Sequence, residues 1–161
     1  MKSCRSAVAV FRTRGVIGEA VASPHPTRRK TLKLRVRFSR LPRGSHGFHI
    51  HRAGDLRGEG CAGACAHFHI GPAAHHGGPP STRKSSRSRS SQRHTGDLGN
   101  IRGPTFTRTY TVPGIHPQDL WGRSLIVHAD ADDLGKGPHD DSKTTGHSGA
   151  RIACAIFGRS A

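Results

Sequence analysis

The chain lacks any long apolar run. Its 161 residues contain no stretch of about 18 apolar residues, the length that a membrane-spanning helix requires. A short apolar run covers residues 7–11, and Arg12 and Arg14 interrupt it too soon for a secretory signal. The sequence therefore predicts no membrane partner and a cytoplasmic location.

Acidic and aromatic residues are also scarce. Ten Asp and Glu stand against 26 Lys and Arg, which gives a formal net charge of +16. Such an excess attracts nucleic acids, anionic membranes or small anions, although a solvated basic surface is the simplest interpretation. With one Trp and one Tyr, the chain has few rings on which bases could stack. A nucleic-acid partner is therefore not expected.

Hydrophobic residues make up only 32% of the chain, whereas glycine occurs 21 times. This composition favours one loop-rich all-β domain over residues 1–161. Residues 31–38 alternate polar and apolar side chains without a break, which predicts a half-buried strand. Further strands are predicted at residues 7–11, 16–21, 47–51, 106–111, 124–128 and 152–157. Between them lie two long predicted loops, residues 52–100 and 129–150, and loops of that length are usually functional or disordered.

Residues 79–93 form an Arg/Ser-rich segment within the first long loop. From position 81 to position 93 it contains no apolar side chain that could pack. A segment of this composition cannot offset the entropy that ordering would cost. It predicts a flexible, solvent-exposed insertion.

Six histidines and one aspartate stand at spacings typical of metal ligands. Because strand side chains alternate with a period of two, His49 and His51 should point to the same side of their strand. Imidazole suits copper and zinc, and a mixed His/Asp set suits zinc. Two adjoining metal sites are therefore expected from His49, His51, His67, His76, His94, Asp97 and His128.

The motifs around these residues resemble copper/zinc superoxide dismutase over nearly the whole chain. They are Gly47-Phe48-His49-Ile50-His51, His67-Phe68, His76-Gly77-Gly78-Pro79, His94-Thr95-Gly96-Asp97, Val127-His128 and Thr145-Gly146-His147-Ser148-Gly149-Ala150-Arg151. Together, and in the family's order, these motifs are specific, whereas residues 1–43 match only as a strand pattern. The resemblance implies an eight-stranded Greek-key β-barrel, an immunoglobulin-like sandwich with two long metal-site loops, and a homodimer.

The resemblance also implies a role for individual residues. Copper would be held by His49, His51, His67 and His128, and zinc by His67, His76, His94 and Asp97, with His67 as the bridge. Asp132 would join His49 to His76, and Arg151 would bind the superoxide anion beside copper. Cys61 and Cys154 would form a disulfide. The implied reaction is the conversion of superoxide to oxygen and hydrogen peroxide, and the alternative is a non-catalytic relative that sequesters copper or engages a copper chaperone.

Several positions leave alternatives open or depart from the family's pattern. His75 adjoins His76, which is preferred because Gly77 follows it, and His69 could compete with His67. Cys4 and Cys65 have no implied partner, and Cys65 is expected to be a free thiol. Thr144 stands where the family often has a guiding lysine, with Lys143 one residue earlier. Trp121 and Arg159 stand at the expected dimer contact, where an unpaired arginine would weaken pairing.

Overall fold

The computed structural model describes residues 5–72, 75–80 and 93–160, and its strands form two antiparallel sheets. The strands are β1 (Ala7–Arg12), β2 (Ile17–Pro24), β3 (Thr31–Arg40), β4 (Gly44–His51), β5 (Asp97–Gly103), β6 (Phe106–Pro113), β7 (Ser124–His128), β8 (Arg151–Ile156) and β9 (Gly158–Arg159). One α-helical turn, α1 (Ser142–Thr145), and two short 3-10 helices, Ala62–Ala64 and Pro117–Leu120, complete the described elements. The prediction of an all-β sandwich is confirmed.

The first sheet has the strand order β6-β3-β2-β1-β9, and the second has the order β5-β4-β7-β8. The chain returns to place β6 beside β3 and β7 beside β4, which is Greek-key connectivity. Eight strands span five residues or more, and β9 adds only two residues at the edge beside β1.

The hydrophobic core lies between the sheets, where the inward side chains of both meet. On β3, Leu32, Leu34, Val36 and Phe38 are buried while the residues between them face water, as the alternating sequence predicts. On β4 and β7 the core side chains are Phe48, Ile50, Leu125 and Val127. The intervening residues of β4 therefore point to the outer side of the second sheet, where the long loops cover them.

The prediction that residues 52–100 contain no strand is wrong at its end, because β5 begins at Asp97. The β5 sequence, Asp-Leu-Gly-Asn-Ile-Arg-Gly, is rich in residue types that strands disfavour. It pairs with β4 through a bulge, in which Gly99 has a φ of 74°. This bulge sets Asp97 opposite His49.

Most of the 79–93 insertion, residues 81–92, lies outside the described residues, so its predicted flexibility stays a prediction. The described residues on its two sides, 75–80 and Arg93, contact each other. Residue His75 forms an isolated β-bridge with Arg93, and Arg93 Nε donates to Gly78 O at 2.7 Å. The residues that precede and follow positions 81–92 therefore lie close together. In the described part of the chain, no helix is long and apolar enough to cross a membrane.

Candidate metal centre

The regular alternation of β4 and a register shift between β7 and β8 direct the candidate ligands to one place outside the second sheet. The period of two on β4 sends His49 and His51 to the same side, as predicted. At the end of β7, a register shift beyond Val127 brings His128 opposite Arg151. Without that shift, Arg151 would lie on the same side of β8 as the core residue Ala153. The bulge therefore turns Arg151 toward the histidines.

Four buried histidines form the first cluster. His49, His51, His67 and His128 each offer one ring nitrogen, and these atoms all lie within 4.8 Å of one another. The nitrogens that face inward, His49 Nδ1 and Nε2 of the other three, have no hydrogen-bond partner. A buried polar atom without a partner is costly, so convergence of four such atoms needs a further group to satisfy them.

The rings of this cluster are neutral at pH 7 because burial disfavours their charged form. Burial lowers the pKa of His49 to about 3, that of His51 to about 2 and that of His128 to about 4. Neutral imidazole presents a lone pair, which is the form that binds a transition metal. The cluster therefore suits copper.

The second cluster converges on one carboxylate oxygen. The Oδ1 atom of Asp97 lies 2.9 Å from Nδ1 of His67, 3.1 Å from Nδ1 of His76 and 3.4 Å from Nδ1 of His94. The other oxygen, Oδ2, accepts hydrogen bonds from the backbone N–H groups of Gly77 and His94. Three imidazoles and one carboxylate are a ligand set that suits zinc.

His67 belongs to both clusters. Its Nδ1 atom faces Asp97, and its Nε2 atom is one of the four unpartnered nitrogens of the first cluster. The ring is only 3% exposed, so solvent cannot satisfy either side. This arrangement is the one that a bridging imidazole requires.

The second cluster and its neighbour Asp132 favour a positive charge. Burial alone would lower the pKa of His76, but its hydrogen bonds to Asp132 and Asp97 raise that pKa to about 9. Burial alone would raise the pKa of Asp97, but hydrogen bonds from His67, His76 and His94 hold it well below its usual range. A cation between these groups is therefore stabilised whether it is a proton or a metal ion.

Asp132 lies behind both clusters. Its Oδ2 accepts a hydrogen bond from His49 Nε2 at 2.8 Å, and its Oδ1 accepts one from His76 Nε2 at 2.8 Å. Asn100 on β5 holds Asp132 in turn, because its side chain bonds both the backbone O and the backbone N–H of Asp132. Sequence reasoning missed Asn100, although it stands three residues after Asp97.

The ambiguous histidines occupy different environments. His76 is buried in the second cluster, whereas His75 is exposed and its Nδ1 donates to the backbone O of His76. His69 directs Nε2 to Pro72 O at 2.6 Å, and its Nδ1 accepts from the backbone N–H of Thr95. Neither His69 nor His75 belongs to a metal-ligand cluster of the described residues.

A cavity of about 390 Å³ opens over the first cluster, lined by His51, His67, His128, Arg151, Thr144 and Asp141 among others. The guanidinium of Arg151 is held by backbone carbonyls: Nη1 donates to Cys61 O and Nη2 to Cys65 O, both at 2.7 Å. Thr144 lies in the cavity wall at the position of the expected lysine. Sequence reasoning did not identify these carbonyl contacts, because they depend on a loop conformation.

Cys61 and Cys154 form a disulfide, as the resemblance implied. It ties the loop that carries the two carbonyls to β8, three residues beyond Arg151. Cys65 is a free, exposed thiol. Cys4 lies outside the described residues.

The fold and the two adjoining clusters define a β-sandwich protein in which two sets of potential metal ligands share one histidine. The family model for copper/zinc superoxide dismutase matches residues 16–157, and the chain belongs to this family.

Individual relatives agree with this assignment. An extracellular Cu-Zn superoxide dismutase of Haemonchus contortus is 38% identical over 167 residues, covering 92% of this chain and 84% of that protein. A putative Cu-Zn superoxide dismutase of Orgyia pseudotsugata multicapsid polyhedrosis virus is 43% identical over 128 residues, covering 73% and 75%. An extracellular Cu-Zn superoxide dismutase of Caenorhabditis elegans is 38% identical over 165 residues, covering 92% and 70%. The crystal structure of the clock protein EA4 superposes with a TM-score of 0.82 at 30% identity, covering 99% of this chain and 98% of that one.

These comparisons contradict the predicted cytoplasmic location. The relatives from Haemonchus contortus and Caenorhabditis elegans, which match 92% of this chain, are both extracellular enzymes. The Cys61–Cys154 disulfide agrees with an oxidising compartment. The prediction was wrong because it rested on the short apolar run near the start of the chain.

Proposed function

We propose that this protein is a copper- and zinc-dependent superoxide dismutase that acts outside the cell. The observation that carries the proposal is the set of four buried, unpartnered ring nitrogens that converge beside Arg151 at the floor of a cavity. Membership of the family and the names of the relatives support the same activity.

The residues of the first cluster would hold copper, and those of the second would hold zinc. The copper set is His49, His51, His67 and His128, and the zinc set is His67, His76, His94 and Asp97. Copper, when bound, supplies the one-electron redox chemistry by which two superoxide radicals and two protons become oxygen and hydrogen peroxide. Zinc has no redox chemistry, so when bound it would contribute geometry and positive charge.

Arg151 would bind the anionic substrate. A guanidinium is permanently charged, and its planar set of donors suits a small anion. The carbonyls of Cys61 and Cys65 fix the group at the cavity wall, so that it need not lose side-chain freedom when superoxide docks.

His67 would deliver a proton at its Nε2 atom. That atom faces the first cluster, and His67 also lines the cavity, while Nδ1 is engaged with Asp97 on the other side. Asp132 would orient His49 and His76 through their Nε2 atoms, which directs their Nδ1 atoms toward the two clusters.

The test is metal content and superoxide-dependent activity on one preparation, before and after loading with copper and zinc. About one copper and one zinc per chain, with activity that follows copper, is the expected result. His128→Ala should remove copper and activity, whereas the matched change His25→Ala, in the β2–β3 turn, should remove neither. Bound copper without superoxide-dependent activity would instead support the non-catalytic relative that sequesters copper, and zinc without copper after copper loading would contradict the proposed activity.

Pairing of two copies and delivery of copper by a chaperone stay predictions. The guanidinium of Arg159 lies over the Trp121 ring, 4.3 Å from its centre. A cation–π contact of this kind stabilises the charge within one chain. The arginine therefore has a partner at the expected dimer contact, and sedimentation of the metal-loaded protein would establish the oligomeric state.

A further inference from the structure

A separate cavity, of about 490 Å³, lies where the turn between β2 and β3 meets the chain around it. Its walls come from three segments: the residues before β1, the β2–β3 turn, and the segment that follows β6. The described residues that line it are all different from those that line the cavity over the histidines. We call it the turn pocket, and its volume lies in the range of about 300–1,000 Å³ that is usual for small-molecule sites.

The register of the first sheet brings these three walls together. Ala7, the first residue of β1, pairs with Ala22 on β2, so Arg5 lies beside the end of β2 where the turn begins. On the other side, the backbone N–H of Gly114 donates to the backbone O of Lys30 at 2.8 Å. The chain that follows β6 therefore starts against the same turn, and the pocket is a product of strand pairing.

Hydrogen bonds hold the β2–β3 turn in one backbone conformation. The Nδ1 atom of His25 accepts from the backbone N–H groups of Thr27 and Arg28, at 3.3 and 3.2 Å. The backbone N–H of His25 donates to Thr31 O at 2.9 Å, and Thr31 Oγ1 donates to Arg29 O at 3.1 Å. The basic side chains of the turn therefore extend from a fixed backbone, and less ordering is needed when a ligand binds.

The turn pocket carries an excess of positive charge. Four of its lining residues are cations: Arg5, Arg28, Arg29 and Lys30. Within residues 5–72, 75–80 and 93–160, the three cations of the turn form no ion pair. The lining contains one acid, Asp119, whose Oδ2 accepts a hydrogen bond from the backbone N–H of His116 at 2.7 Å. The pocket is therefore suited to an anion.

The distribution of these groups indicates the shape of the ligand. Arg5 stands on one wall, the cations of the turn stand on the second, and His116 and Gln118 stand on the third. A single small anion can engage one wall, whereas a compact molecule with phosphate groups around a ring can engage all three. Among the described lining residues there is no Phe, Tyr or Trp, so a nucleotide base has no such ring on which to stack.

We propose that the turn pocket binds a small cyclic polyol that carries several phosphate groups. Arg28, Arg29 and Lys30 would pair with phosphate groups from the turn, and Arg5 would pair with a further one from the start of the chain. Gln118 offers an amide that can donate to, or accept from, a hydroxyl of the polyol. The pocket contains no residue of the two histidine clusters, so its occupancy can be measured whether or not the protein is a dismutase.

The experiment titrates the metal-loaded full chain with myo-inositol hexakisphosphate in a calorimeter, at about 0.15 M salt so that distant charges are screened. Elemental analysis before and after the titration checks that the probe removes no metal. The test variant is Arg28→Gln/Lys30→Gln, and the matched control, Arg43→Gln/Arg102→Gln, removes the same charge from exposed positions outside the pocket. We expect the test variant to bind at least about tenfold more weakly, and the control to change less than about twofold.

A change of the opposite sign tests the same pocket. Asp119→Asn removes the acid from the lining, while its amide oxygen can still accept the hydrogen bond from His116. This variant should bind the probe at least about threefold more tightly, whereas Asp140→Asn, at an exposed position outside the pocket, should change the affinity less than about 1.5-fold. Arg28→Gln alone serves if the double variant does not fold, as judged by its thermal unfolding, and should weaken binding about threefold.

Two results would place the anion elsewhere and overturn the proposal. Equal effects in the pocket variants and their matched controls would mean that net charge alone governs binding. Loss of binding in Arg151→Gln, with parental affinity in Arg28→Gln/Lys30→Gln, would assign the probe to the cavity over the histidines.

Three further results would contradict the assigned ligand. The first is no binding of the probe at a concentration of about 1 mM. The second is binding of inorganic phosphate as tightly as of the probe, which would mean that the pocket does not recognise a multiply phosphorylated ring. The third is retention on vesicles that contain phosphatidylinositol bisphosphate without any binding of the free probe, which would assign the pocket to a membrane surface.

Discussion

The Nδ1 atom of His76 lies 3.1 Å from Oδ1 of Asp97, whereas the adjacent His75 is exposed and belongs to neither ligand cluster. Two neighbouring histidines therefore provide a test and its own control. His76→Ala should lower the zinc content of the metal-loaded protein below about 0.2 per chain, because the zinc set loses a ligand. His75→Ala should keep the parental zinc content. Elemental analysis of both variants checks this prediction. Equal zinc loss in the two variants would contradict the assignment of His76 alone as the zinc ligand.

Arg151→Glu should reduce superoxide-dependent activity at least tenfold while copper stays bound. A reversed charge at the docking point repels the anion, and Arg151 is in neither ligand cluster. The variant Arg43→Glu changes charge equally at an exposed residue outside the cavity lining and serves as the control. Activity in Arg151→Glu equal to that of the parent would remove this residue from the mechanism.

Activity should fall as ionic strength rises from low salt to about 0.15 M, where the Debye length is about 8 Å. A positively charged cavity raises the capture rate of an anionic substrate, and salt screens that attraction. The slope of activity against salt should be smaller or reversed in Arg151→Glu. An unchanged rate over the whole series would show that electrostatic capture does not limit turnover.

Deletion of residues 81–91 should leave the fold and the zinc content intact. Arg93 contacts Gly78 across the base of this segment, so the described chain on either side is already joined by a hydrogen bond. Circular dichroism and zinc analysis of the deleted protein check the prediction. Loss of zinc would show that the segment helps to hold His76 or His94 in place.

Cys154→Ser should destabilise the protein by about 4–5 kcal/mol, the chain-entropy value for a disulfide that closes a loop of 93 residues. Cys65→Ser is the matched control, because Cys65 is free and exposed. Urea unfolding under non-reducing conditions gives both free energies. Equal stability of the two variants would mean that the disulfide does not constrain the unfolded chain.

Local patterns were sufficient to predict much of the fold. The unbroken alternation over residues 31–38 predicted β3, and the period of two placed His49 and His51 on one side of β4. By contrast, β5 was missed because Gly99 and its polar neighbours are typical of a turn, and only pairing with β4 makes them a strand. Strand-forming tendency is decided by such neighbours more than by the residue itself.

The finer features of the metal centre depend on long-range packing that no local pattern encodes. The sequence could not separate His75 from His76 except by the glycine that follows, whereas burial separates them at once. The turn of Arg151 toward the cavity depends on the register shift between β7 and β8. The support of Asp132 by Asn100 joins residues 32 positions apart. Each of these features requires the folded sheets.

The sharing of one imidazole between the two clusters has a thermodynamic consequence. His67 Nδ1 belongs to one cluster and His67 Nε2 to the other. Binding of a proton or a metal ion at one of these nitrogens therefore changes the basicity of the other nitrogen of the same ring. If occupancy of one site changes the affinity of the second site by some factor, occupancy of the second site changes the affinity of the first by the same factor. The two sites are therefore one linked binding system, whose composition at a given supply of each ion depends on both concentrations together.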